Sequence, residues 1–189
     1  MPDFTTLEEH ACFGGTQGFH EHASGTVGLP MRFGVYLPPQ AAQGRVPVLW
    51  YLAGLTCNEQ TFAIKAGAQQ HAARLGLALV TPDTSPRGTG VADADADWDF
   101  GHGAGFYLDA TAEPYARHWR MESWLTQELP GVLARNFPLD VENAGIFGHS
   151  MGGHGALTLA LRHPGRFRSV SAFAPICAPT AVPWGRKAF

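Results

Sequence analysis

Hydrophobic and polar positions alternate between short blocks along this chain. Residues 18–28 read as an extended, mostly polar strand, and 31–37 as a second strand ended by Pro38-Pro39. Residues 46–53 (VPVLWYLA) form a nearly unbroken apolar run, as a strand buried on both faces does. Two antiparallel strands before a buried one suit the opening of a mixed sheet. Residues 58–75 carry Ala66, Ala68, Ala72 and Leu75 near helical spacing, with Asn58 as the cap and Gly67 weakening the continuity. Residues 77–81 (LALVT) predict another buried strand, stopped by Pro82.

The following stretch, 83–112, is irregular and rich in Gly and Asp. Loops that long are functional or disordered, and the aromatics Trp98, Phe100, Phe106 and Tyr107 argue for order. Residues 119–136 form an amphipathic pattern with Trp124, Leu125, Leu129, Val132 and Leu133 on one face; Pro130 is expected to kink or split that helix. A short apolar strand at 144–147, a helix at 152–163 and a last strand at 169–174 complete the pattern, and the remainder reads as turns. Buried strands alternating with helices predict an α/β domain with a largely parallel sheet.

Composition narrows the function classes. With 45% hydrophobic and 15% charged residues and a formal net charge of −3, the 189 residues suit one globular domain without a nucleic-acid or membrane footprint. The first ten residues lack the basic and apolar regions of a signal peptide, and no apolar run reaches the roughly 20 residues of a membrane span. Cys12, Cys57 and Cys177 follow no metal-site spacing, so reduced thiols in a cytoplasmic protein are expected. Asp93, Asp95, Asp97 and Asp99 alternate as in a calcium loop, but Trp98 stands where that loop needs Gly and Ala104 where it needs Glu. A solvated acidic loop is the better reading. His20 and His22 share a strand face without a third ligand, so surface or interface histidines are expected rather than a metal site.

The chemistry is carried by Gly148-His149-Ser150-Met151-Gly152, a G-x-S-x-G pattern between an apolar strand and a helix. A serine on so tight a turn is held strained, with its hydroxyl projecting above the sheet, while the helix end offers backbone amides to a developing oxyanion. Ser150 is therefore the expected nucleophile and the Met151 N–H one oxyanion donor. The second donor is expected from the turn after VPVLWYLA, at the Leu55 N–H.

Several longer blocks resemble the S-formylglutathione hydrolase (esterase D) family: YLAGLTCNEQTF at 51–62, PDTSPRG at 82–88, DWDFGHGAGFYLDAT at 97–111, GHSMGGHGAL at 148–157, SAFAPIC at 171–177 and PWGRKAF at 183–189. The resemblance implies an α/β-hydrolase fold, a mostly parallel sheet flanked by helices. It implies a serine thioesterase acting on S-formylglutathione, with carboxylesterase activity on small esters, no cofactor or metal, and a homodimer. It also places Cys57, Trp98, Phe100, His149 and Trp184 near the substrate pocket. Ordinary packing competes for Cys57 and the aromatics. The triad of this fold runs Ser, acid, His in chain order, yet no Asp or Glu follows Glu142, and the only later histidines are His154 and His163. The expectation is a chain incomplete at its C-terminal end, lacking the last strands and the triad's acid and base, with an exposed apolar sheet edge. The alternatives are a non-catalytic α/β-hydrolase domain and a generic carboxylesterase or acyltransferase on the same fold.

Overall fold

The computed structural model describes residues 3–189, apart from the side chain of Trp184. Among the described residues seven strands form one sheet: β1 (Thr5–Cys12), β2 (Gly15–Ala23), β3 (Pro30–Leu37), β4 (Val46–Leu52), β5 (Ala78–Pro82), β6 (Leu139–His149) and β7 (Ser169–Phe173). Their order is β1-β2-β3-β5-β4-β6-β7. The sheet is mixed. β1, β2, β3 and β5 pair antiparallel in succession, whereas β4 runs parallel to both β5 and β6, and β6 parallel to β7.

The central strands follow from their apolar runs. β5 is buried at all its positions, and β4 alternates buried with half-buried residues because both its faces are covered. β1 escapes a reading by pattern: its residues TTLEEHAC are nearly all exposed, and it forms by adding to the edge of β2. The expected helix at 58–75 is two helices, α1 (Thr61–Lys65) and α2 (Ala68–Leu75). Gly67 separates them in the left-handed region at φ 62°. The Asn58 side-chain oxygen accepts from the Gln60 and Thr61 amides, so it does organise the entry.

The amphipathic segment is continuous but changes register. A short helix α3 (Met121–Ser123) runs through a π-turn at Trp124–Glu128 into α4 (Leu129–Asn136). Pro130 occupies the start of α4 and has no N–H to return to the preceding turn, so the wider π register absorbs it without a break in the chain's course. α5 (Met151–Arg162) packs on β6 and β7, burying Met151, Gly152, Gly153, Gly155, Ala156 and Leu159. The last residues form a short helix, α6 (Pro183–Ala188), where turns were expected.

His20 and His22 are not surface histidines. Both are buried, at 3% and 4% exposure. His20 packs edge-on or tilted against Phe4, Phe33 and Phe137, and His22 stacks on Trp124, whose Nε1 donates to His22 Nε2 at 2.8 Å. The alternation of β2 points both rings into the layer beneath α3 and α4, where aromatic packing holds them.

Candidate active site

β6 ends at His149 and α5 begins at Met151, leaving Ser150 as the single hinge residue. Its backbone sits at φ 57°, ψ −117°, a region that costs a non-glycine residue on the order of 1–3 kcal/mol and persists only when the surroundings over-determine it. Here they do. Ser150 N–H donates to Phe173 O of β7 at 3.0 Å, and Ser150 O accepts from His154 N at 3.0 Å and from Ile176 N at 3.3 Å. The flanking glycines are required by crowding. A Cβ on Gly148 would fall on the Gly152 carbonyl, and one on Gly152 would come within 2.7 Å of Ala53 O and closer still to Leu52 O. The Ser150 hydroxyl makes no hydrogen bond among the described residues.

The turn after β4 runs alongside. A Cβ on Gly54 would stand 3.5 Å from Ser150 Cβ and 3.5 Å from His149 O. Cys57 N–H closes the turn onto Gly54 O at 3.3 Å, while the Leu55 N–H makes no hydrogen bond among the described residues. Met151 opens α5, so its amide has no partner within the helix. Two amides without a described partner thus lie on the two segments that meet at Ser150, at the C-terminal ends of parallel strands, where open α/β sheets place their ligand sites.

A cavity of about 660 Å³ opens over this point, lined by Gly54, Leu55, Cys57, Trp98, Asp99, His149, Ser150 and Ile176. The expected neighbours Cys57, Trp98 and His149 are among them. Trp98 stands at the rim, 69% exposed. Phe100 is not in this cavity; it lines a second one of about 400 Å³ with Tyr115, Trp119 and Phe189. The Trp184 side chain lies outside the described residues. Asp99 and Ile176 were missed. Ile176 could have been found from topology alone, because residues just beyond β7 must fall beside the end of β6. Asp99 is paired with Lys187 Nζ at 2.6 Å, a contact no local pattern announces.

Neither later histidine serves Ser150. His154 Nδ1 donates to Ile176 O at 3.0 Å and its Nε2 faces Thr158 Oγ1 at 3.4 Å, while burial lowers its pKa below the usual histidine value. His163 Nε2 bonds Glu122 Oε1 at 2.8 Å, at the far end of α5. Among the described residues no group of three or more His, Cys, Asp or Glu side chains is placed to hold a metal ion. Asp97 and Asp99 are engaged by Lys187, and Asp95 by His102.

Comparison with known proteins fits this geometry. The family described as "Putative esterase" matches residues 24–188. The chain belongs to this esterase family. It is 57% identical over 186 residues to an S-formylglutathione hydrolase of Paracoccus denitrificans, covering 98% of this chain and 66% of that protein. It is 54% identical over 183 residues to an S-formylglutathione hydrolase of Mus musculus, covering 97% and 65%. The solved structure of an S-formylglutathione hydrolase from Agrobacterium tumefaciens superposes with a TM-score of 0.94 at 48% identity, covering 97% of this chain and 66% of that one. The chain therefore has the α/β-hydrolase fold and spans about two thirds of the length of these relatives.

Proposed function

We propose that Ser150 is the nucleophile of a serine thioesterase and carboxylesterase whose substrate is S-formylglutathione. The observation that carries this reading is the strained Ser150 backbone beside the unengaged Leu55 amide and the first amide of α5. The relatives named above support the thioester substrate. In this reading Ser150 Oγ attacks the formyl carbonyl, and the oxyanion is met by the Leu55 and Met151 N–H groups. The C–S bond breaks, glutathione leaves with the serine proton, and water then releases formate from the formyl-enzyme. His154 and His163 are engaged elsewhere and do not take the serine proton. No cofactor takes part. The pocket residues Cys57, Trp98 and His149 contact the substrate.

The test compares the complete gene product with its Ser150→Ala variant on S-formylglutathione and p-nitrophenyl acetate. Loss of at least about a thousandfold in kcat is expected; unchanged turnover overturns the reading. A strong preference for p-nitrophenyl acetate over S-formylglutathione would instead favour a general carboxylesterase. Residues 1–189 form one domain in this proposal, and the protein works in the cytoplasm as a homodimer. Three free cysteines support that location, and no helix among the described residues is long and apolar enough to cross a membrane. Light scattering of the complete protein tests the dimer.

A further inference from the structure

We infer that the irregular stretch 83–112 is a brace for the oxyanion turn, and that Tyr107, Thr84 and Arg87 are the positioning residues that hold the Leu55 amide on target. The inference rests on the esterase reading above and adds to it a role for side chains that never touch the substrate.

The turn at 53–57 is tied down by hydrogen bonds at Ala53, Thr56 and Cys57. At its entry the Tyr107 hydroxyl donates to Ala53 O at 2.8 Å. At its exit Cys57 O accepts from Thr84 Oγ1 at 2.6 Å and from Arg87 Nη2 at 3.0 Å. Between them Thr56 N–H donates to Gly103 O at 2.9 Å, and Gly103 N–H is in turn fixed by Ser85 Oγ at 2.8 Å. These partners belong to the same irregular stretch. The Gly54 and Leu55 amides have no partner among the described residues.

The brace is itself rigid. Arg87 forms a two-pronged pair with Asp83, at 2.7 Å and 3.1 Å, and the buried Asp83 also accepts from Thr84 N–H at 2.6 Å. Such bidentate pairs fix geometry as well as charge. Tyr107 is fully buried, and burial pushes its phenol well above the ordinary value, so it stays a donor. Its ring fills the space left by Gly155, where a Cβ would come within 2.9 Å of Tyr107 Cγ. Tyr107 therefore touches both walls of the oxyanion site, the β4 turn through its hydroxyl and α5 through its ring.

The backbone shows the strain that such fixing sustains. Thr56 sits at φ 67°, and Phe106 and Tyr107 follow one another at φ 48° and 58°. Non-glycine residues hold such angles where neighbours over-determine them, and this clusters at sites needing fixed geometry. An amide misplaced by about 1 Å from a transition-state oxygen can lose on the order of a hundredfold in rate.

The experiment uses the complete gene product and substitutions that keep shape. Tyr107→Phe removes only the hydroxyl on Ala53 O; Thr84→Val removes the hydroxyl on Cys57 O; Thr84→Ser restores it. kcat and KM for p-nitrophenyl acetate are measured per site labelled to completion by a fluorophosphonate, with urea unfolding alongside. Tyr107→Phe and Thr84→Val are each expected to lower kcat about tenfold or more with KM within about twofold, and Thr84→Ser to recover most of it. Packing alone would shift the urea midpoint and leave kcat per labelled site unchanged. That outcome, a rise in KM alone, or a Thr84→Ser variant as slow as Thr84→Val overturns the brace. Should Tyr107→Phe lose cooperative unfolding, the Thr84 pair decides. If Ser150→Ala keeps full activity, the esterase reading itself fails; if Ser150→Ala is dead and the brace variants are not, only the brace fails.

Discussion

At Gly152 the first turn of α5 lies against the carbonyls of Leu52 and Ala53, so a single methyl group there has nowhere to go. Backbone atoms cannot swing aside as a side chain can, so relief would have to come from moving α5 off β4. Gly152→Ala is therefore expected to cost about 1–3 kcal/mol in urea unfolding, and to reduce turnover of p-nitrophenyl acetate by the complete protein. An alanine variant of equal stability and activity would show that the elbow is looser than its geometry implies. Gly148 is bound by the same argument, since its Cβ would meet Gly152 itself. The G-x-S-x-G spacing was readable because each fixed position answers a local steric demand. Asp99 and Ile176 were not readable, because they reach the cavity from distant loops.

Among the elements, the split between α1 and α2 depends on one backbone angle. Gly67 holds φ 62° with open space around its Cα, so alanine there meets strain and no clash. Gly67→Ala should lower stability by about 1 kcal/mol, read as a shift in the urea midpoint without change in slope. The helical spacing of Ala66, Ala68, Ala72 and Leu75 was real, but a spacing does not report φ. Pro130 likewise announced an interruption without its form; the π-turn at Trp124–Glu128 that precedes it keeps Trp124 and Leu125 buried. β1 was invisible because its eight residues have no apolar face; its pairing with β2 is a backbone matter.

The whole molecule carries a pH dependence from its buried histidines. Burial lowers His20 from 6.5 to about 4, and lowers His22 as well. The unfolded chain binds these protons first, so their neutral forms contribute full stability above about pH 6.5, and that contribution is lost as pH falls towards 4. For His20 the loss is at most about 3 kcal/mol. Glu59 works in the opposite sense, since burial raises its pKa and its ionisation opposes folding as pH rises above 4.5. Urea unfolding at pH 7.5 and pH 5 should show a drop that His20→Leu flattens; an equal drop in the variant would assign it to other groups. The sheet also ends on an open side. β7 pairs only with β6 among the described residues, and Val170 and Phe173 are 44% and 57% exposed, with Leu161 of α5 80% exposed nearby. Residues 1–189 expressed alone should self-associate with rising concentration, and Val170→Lys should reduce this in light scattering.

The sequence by itself determined the buried strands β4 and β5, the elbow around Ser150 and the amphipathic face from Trp124 to Leu133. Each is a local bargain between side-chain type and backbone geometry, written in consecutive residues. Only the tertiary structure decided that His20 and His22 go inside, that Phe100 turns to a second cavity, and that residues 83–112 reach back to hold the turn at Ala53–Cys57. Those outcomes depend on which surfaces meet once the sheet has assembled in the order β1-β2-β3-β5-β4-β6-β7, and contacts between residues tens of positions apart leave no periodic trace in the chain.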